Sequence, residues 1–268
     1  MSKVIVKEVG DKLKVSHTAE KSKKKEHKKK STNEAVEKHS ATSCANSKRN
    51  LLELLACNDF EYFFTLTFPP KTAKEHSADE LVKMVRERFA DMREQVDGFE
   101  NIKYVIVPEP HTDRRKEIHI HGAMLGVNEK GFGDFRNIKG RKTRYITARL
   151  KQGKKALYCP YLESYFGFNL FEPIENKDAL GVYLSKFFKE APYWKDATKR
   201  LFYASQGLNR PVEIAKGTLK SANSTDTLAA LSQRHYKHRS ADTGTCFGES
   251  FVIDNTFENE KFLIDMLA

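Results

Sequence analysis

Apolar residues along the chain fall into stretches of two different periods. Residues 61–70, EYFFTLTFPP, join aromatic and β-branched side chains with one leucine, the composition of a strand, and Pro69-Pro70 closes it. Ser77-Ala-Asp-Glu80 has the form of a capping box. The helix it opens carries Leu81, Val85, Phe89, Met92 and Val96 on one stripe, with Gly98 as its stop. Residues 101–110, NIKYVIVPEP, and 117–127, EIHIHGAMLGV, read as two strands of an antiparallel hairpin joined by the polar connector HTDRRK. GFNLFEPI, at 167–174, is a further strand. Asn176 caps the next helix, whose apolar stripe includes Leu180 and Leu184. Upstream of all these, Leu51, Leu52, Leu54 and Leu55 mark a helix packed on something.

The two ends are less regular. Val4, Ile5 and Val6 start a short strand, with Gly10-Asp11 as a turn before LKV. The block KSKKKEHKKKS at 21–31 is a solvated basic run, disordered when free. Residues 128–166 are rich in Gly, Lys, Arg and Tyr and read as irregular loop with short strands. Beyond KRLFYAS and GLNRPVEI, the strand-like pieces are HYKHRS and ESFVID, and a last helix lies around EKFLIDML.

The gathered order is β-α-β-β, a loop-rich insertion, then β-α. It predicts an α+β fold, a central antiparallel β-sheet with helices mainly on one face. The expected division is a basic, partly disordered arm at 1–45, a main domain at 46–215 with its insertion at about 128–166, and a C-terminal extension at 216–268, packed on that domain or flexible.

Composition adds a core and a charge. Hydrophobic residues make up 39% and aromatics 11%, enough for a sizeable core. Lys and Arg number 47 against 36 Asp and Glu, a net +11 that favours a polyanionic partner. Cys44, Cys57, Cys159 and Cys246 stand far apart without C-x-x-C pairing. They point to free thiols in a reducing compartment and away from a disulfide framework or a thiolate zinc site. No apolar stretch is long enough to span a bilayer, so the expectation is a cytoplasmic protein without a membrane partner.

The candidate chemistry lies in the hairpin. In a strand, residues i and i+2 share a face, so His119 and His121 project together, about 6–7 Å apart. Ile118 and Ile120 turn the other way. Two partly exposed strand histidines fit this pattern as well as two ligands do. Glu109, on the neighbouring strand, adds a carboxylate or is a solvent-facing hairpin residue. Two imidazole nitrogens and one carboxylate oxygen suit a divalent cation, Mn²⁺ or Mg²⁺. Tyr183 and Lys186 lie at i and i+3 of the helix after Asn176 and meet on its surface. They form either a reactive pair or an edge tyrosine beside a snorkelling lysine.

The order FFTLTF, then E-P…HIHG, then YLSK resembles the three-motif signature of the HUH endonucleases. It is similar in particular to single-tyrosine, Y-x-x-K rolling-circle replication initiators. CNDFEYFFTLTF and RLFYASQGLNRP resemble the initiators of plasmids and phages of Gram-positive bacteria. The resemblance covers roughly residues 46–215 and implies the HUH/Rep nuclease fold with an RRM-like palm. It implies that Thr65 and Thr67, in the first motif, are tied to DNA positioning. His119 and His121 match the metal ligands, Glu109 sits where the third ligand comes from, Tyr183 matches the nucleophile and Lys186 the motif lysine. The implied reaction nicks single-stranded DNA at an origin through a covalent 5′-phosphotyrosine and leaves a 3′-OH primer for a host polymerase.

Arg114, Arg115, Arg136, Lys139, Arg141, Lys142 and Arg144 cluster around the hairpin and the insertion. With Phe132, Phe135 and Tyr145 interleaved, they form a candidate DNA surface or a charged loop. Residues 133–143, GDFRNIKGRKT, lack the glycine spacing of a P-loop, so unwinding is left to a host helicase. A related relaxase or transposase, and a non-catalytic DNA-binding replication regulator, are the competing readings.

Overall fold

The computed structural model describes residues 3–18, 41–110, 118–140, 142–189, 200–220, 224–239 and 246–267. The lysine block at 21–31 and the predicted DNA contacts Arg114, Arg115 and Arg141 lie outside the described residues. The chain opens with β1 (Lys3–Val9) and β2 (Lys12–Thr18), followed by α1 (Ala41–Ala56), β3 (Tyr62–Thr67), α2 (Pro70–Glu75) and α3 (Ala78–Gln95). The hairpin is β4 (Lys103–Pro110) and β5 (Ile118–Leu125). Next come β6 (Gly133–Asp134), α4 (Arg144–Lys151), β7 (Leu157–Tyr158), α5 (Pro160–Phe166), β8 (Asn169–Pro173) and α6 (Lys177–Ser185), which runs into a 3-10 turn at Lys186–Lys189. The last elements are β9 (Tyr203–Ala204), β10 (Val212–Gly217), α7 (Ser224–Leu231), β11 (Arg234–Arg239), β12 (Cys246–Asp254) and α8 (Phe257–Asp265).

The protein is α+β, with two antiparallel sheets of five and seven strands and eight helices among the described residues. None of those helices is long and apolar enough to cross a membrane. The chain divides into two compact units, Val36–Leu208 and Met1–Ala35 with Asn209–Ala268. This differs from an arm and an extension flanking a domain at 46–215. The N-terminal hairpin is not a separate arm: it lies inside the five-stranded sheet, whose order is β10-β1-β2-β12-β11. The physical reason is burial. Val4, Val6, Leu13 and Val15 alternate along a hairpin that cannot cover them by itself, and Phe251, Ile253, Leu228 and Leu263 from the C-terminal end complete the core.

The seven-stranded sheet of the other unit has the order β6-β7-β8-β3-β5-β4-β9. Its α3 begins as the sequence predicts: the Ser77 hydroxyl accepts from the Glu80 amide, and the Glu80 carboxylate accepts from the Ser77 amide at 2.7 Å. Leu81, Val85, Phe89 and Met92 then pack on Phe64, Leu66, Ile106, Ile120 and Met124. Helices are not confined to that face, contrary to the expected layout. Val105, Val107 and Ala123 point the other way and need cover too, which Leu51, Leu54 and Leu55 of α1 and Leu180 and Leu184 of α6 supply. The insertion is likewise more regular than an irregular loop. The Thr143 hydroxyl caps α4 by accepting from the Ile146 amide at 3.2 Å, and Pro160 starts α5. Both helices are short, so their period is faint in the sequence; what holds α4 is Ile146 and Leu150 lying over Ala156 and Leu170.

Candidate active site

The face opposite α3 is a grid that the strand registers set out row by row. Thr65 pairs with His121 and Leu170, and His121 with Val107. One row further, Thr67 pairs with His119 and His119 with Glu109. One row the other way, Phe63 lies between Glu172 and Ala123. A period of two therefore brings Thr65, Thr67, His119, His121 and Glu109 to one side, while Phe64, Leu66 and Ile120 of the same strands sit in the α3 core.

The ring planes of His119 and His121 are 12° apart with centroids 6.3 Å apart, within the spacing the strand period predicts. Each is steadied from the first motif. Thr67 Oγ1 lies 3.0 Å from His119 Nδ1, and Thr65 Oγ1 lies 3.0 Å from His121 Nδ1. A hydroxyl both donates and accepts, so it suits either imidazole tautomer. When Nδ1 donates to it, Nε2 carries the lone pair that a cation requires. The two threonines are thus engaged with the histidine rings.

Glu109 Oε2 is 2.6 Å from His121 Nε2, with both side chains largely buried. The donor atoms with the chemistry for a divalent cation are the imidazole nitrogens of His119 and His121 and the Glu109 carboxylate. Among the described residues, however, no three His, Cys, Asp or Glu side chains are already gathered as a ligand set. A cation entering here has to part the Glu109–His121 contact.

Tyr183 comes to this face from α6. The Asn176 side chain caps that helix by accepting from the Ala179 amide at 2.9 Å. Gly181 lets it approach α1 closely, since a Cβ there would stand 2.6 Å from Leu52 Cδ2. The Tyr183 ring, 38% exposed, meets His121 edge-on at 5.6 Å and Phe63 edge-on at 5.3 Å. Lys186 Nζ lies 4.3 Å from the centre of the Tyr183 ring, so the i, i+3 pair is formed. Burial, and then the negative charges of Glu109 and Glu172, hold the Tyr183 phenol above its ordinary pKa.

Glu172 and Phe63 are the neighbours that sequence reasoning missed. Glu172 is buried, accepts from the Tyr145 hydroxyl at 2.6 Å and pairs with Arg149 at 3.1 Å, which ties α4 to the sheet beside the site. The available signal was parity: in NLFEP, Glu172 shares a face with Leu170, opposite the core residue Phe171. Burial and the bond to Glu172 push the Tyr145 pKa up to about 12.

The predicted basic contacts divide. Arg136 is exposed but forked onto Asp134, and Lys142 Nζ donates to the Ile138 carbonyl at 2.8 Å. Lys139 and Arg144 are exposed. Phe132 is no stacking surface: it packs on Tyr62, Phe99 and Phe171 in the α3 core, because its stretch turns inward beside β6. Cys44, Cys57 and Cys159 are free thiols, two of them buried, and none lies in the site.

Comparison with protein-family models, with curated proteins and with solved structures finds no match in any of the three.

Proposed function

We propose that this chain is a rolling-circle replication initiator that nicks and rejoins single-stranded DNA at an origin. Under this reading the seven-stranded sheet is the palm of a HUH nuclease. The observation that carries the reading is the ordered contact of Tyr183, His121 and His119, with Glu109 beside them and Lys186 against the tyrosine ring. The three motifs meet there in space as well as in order.

Tyr183 Oη attacks the scissile phosphorus, the bond from phosphorus to the 3′ oxygen breaks, and a 5′-phosphotyrosine forms. The phenol gives up its proton, and the departing 3′ oxygen gains one to become the primer hydroxyl. Lys186 offsets negative charge at the phenolate and the phosphate. A divalent cation held by His119, His121 and Glu109 supplies positive charge at the scissile phosphate when bound. Thr65 and Thr67 keep the imidazoles turned toward that charge. The raised pKa of Tyr183 marks what the loaded site has to overcome. The partners under this reading are origin DNA, a host helicase and a host polymerase in a bacterial cytoplasm.

The test uses a 3′-end-labelled pool of random-sequence single-stranded DNA with Mn²⁺ or Mg²⁺. A label that stays on the protein through denaturing electrophoresis, and is lost with Tyr183→Phe, supports the reading. An adduct that forms equally with Tyr183→Phe removes Tyr183 as nucleophile. Adduct that survives both EDTA and the double change His119→Ala, His121→Ala removes the metal. Salt-sensitive binding with no adduct supports a non-catalytic DNA-binding regulator instead.

A further inference from the structure

We infer that Phe168 is a stacking shelf for a nucleobase of single-stranded DNA beside the scissile phosphate, an inference that rests on the function proposed above. The Thr67 amide donates to the Phe168 carbonyl at 2.9 Å, so Phe168 extends the row Thr67–His119–Glu109 by one strand. Parity turns its side chain to the site. Asn169 and Phe171 point to the α3 side, where Asn169 bonds the Cys159 backbone, while Leu170 and Glu172 point to the histidine side, and Phe168 follows them. Two strand spacings, about 10 Å, separate it from His119, within reach of the nucleotide next to a phosphate held there.

The ring has an aromatic neighbour and is partly exposed. Phe135 lies 6.3 Å from it, and Tyr158 lies 5.1 Å from Phe135 in turn. Phe135 is itself seated against Ile146, Ala156 and Leu170. Phe168 nevertheless remains 37% exposed, a large apolar side chain at the rim of a polar site. Thr67, His119 and Glu109 offer polar and charged contacts to a sugar–phosphate chain but no flat apolar face to a base. Phe168 offers that face, and stacking tolerates any base because each has a π surface. Lys139, a few residues past Phe135, is exposed and adds positive charge to that stretch of chain.

The experiment measures fluorescence anisotropy of labelled oligothymidylate, and of an abasic strand of equal length, in the Tyr183→Phe background so that no covalent product forms. Phe168→Leu keeps an apolar side chain against Phe135 but lacks the aromatic face. It is expected to weaken binding of oligothymidylate about ten- to hundredfold, with Phe168→Trp restoring it. The abasic strand is expected to bind all three proteins alike, and melting temperatures to stay together. Equal binding of oligothymidylate by the Phe168→Leu and Phe168 proteins overturns the shelf, as does a protein with Phe168 that does not prefer the base-bearing strand. If Phe168→Leu melts early, the Trp variant and the abasic comparison still decide. Failure of the nicking assay with a Phe168-dependent preference for bases discards cleavage and keeps the shelf; adducts without that preference do the reverse.

Discussion

The two faces of the seven-stranded sheet are built from alternate residues of the same strands, yet they differ in kind. On the α3 face, Phe64, Leu66, Ile120 and Met124 are sealed under a helix. On the other, beside the Val105, Val107 and Ala123 patch that α1 and α6 cover, Thr65, Thr67, His119, His121 and Glu109 carry polar groups that hydrogen-bond one another across three strands. The apolar face holds the backbone still, and the polar face uses that rigidity to hold two imidazoles, a carboxylate and a phenol in fixed relation. Stability and chemistry should therefore come apart by parity along a single strand.

The largest expected effect breaks that comparison directly. Phe64→Ala should cost about 3–5 kcal/mol of unfolding free energy, read by denaturant titration. His119→Ala, three rows from it on the opposite face, should cost well under half as much while reducing the DNA adduct to background. Equal losses of stability would mean that the histidine face is structural.

Gly122 tests the same boundary from within β5. A Cβ there would stand 2.2 Å from the Val105 carbonyl oxygen and 2.3 Å from the Phe64 ring. Gly122→Ala should destabilise by about 1–3 kcal/mol and displace the adjacent His121, seen as lower melting temperature together with lost adduct. Next in size, Thr67→Val removes the hydroxyl at His119 Nδ1. Titration calorimetry should show Mn²⁺ binding weakened about 10–100-fold, with Thr67→Ser restoring it. Unchanged affinity in Thr67→Val would leave the threonine without a part in orienting the ring.

The smallest effect concerns the edge of the polar face. Tyr145 ionises in the folded protein only near pH 12, against an ordinary value of 10. Folding therefore favours its neutral form. That contribution is complete below pH 10 and is lost as pH rises through about 12. Tyr145→Phe should flatten the fall in stability across this window, followed by unfolding at stepped pH.

Much of this arrangement was legible in the chain. Capping residues and the period of apolar positions located α3 and α6, and the hairpin of β4 and β5 followed from two apolar strands around a polar connector. Short-range periodicity works there because each signal is local, a cap three residues long or a face that repeats every two or four residues. The same local logic put His119 and His121 on one face and Tyr183 near Lys186.

What the chain left open was set by partners far away in sequence. The hairpin of β1 and β2 joins the C-terminal strands because a two-stranded hairpin cannot bury its own apolar side. α4 holds its place through contacts with Leu170 and Glu172 rather than through a strong period of its own. By itself the sequence determined which side chains share a face, since strand and helix periods are properties of the local backbone. Only the tertiary structure decided that Glu109 meets His121, that each histidine leans on a threonine and that Tyr183 stands over them, because strand register and helix docking are settled by the packing of the whole core.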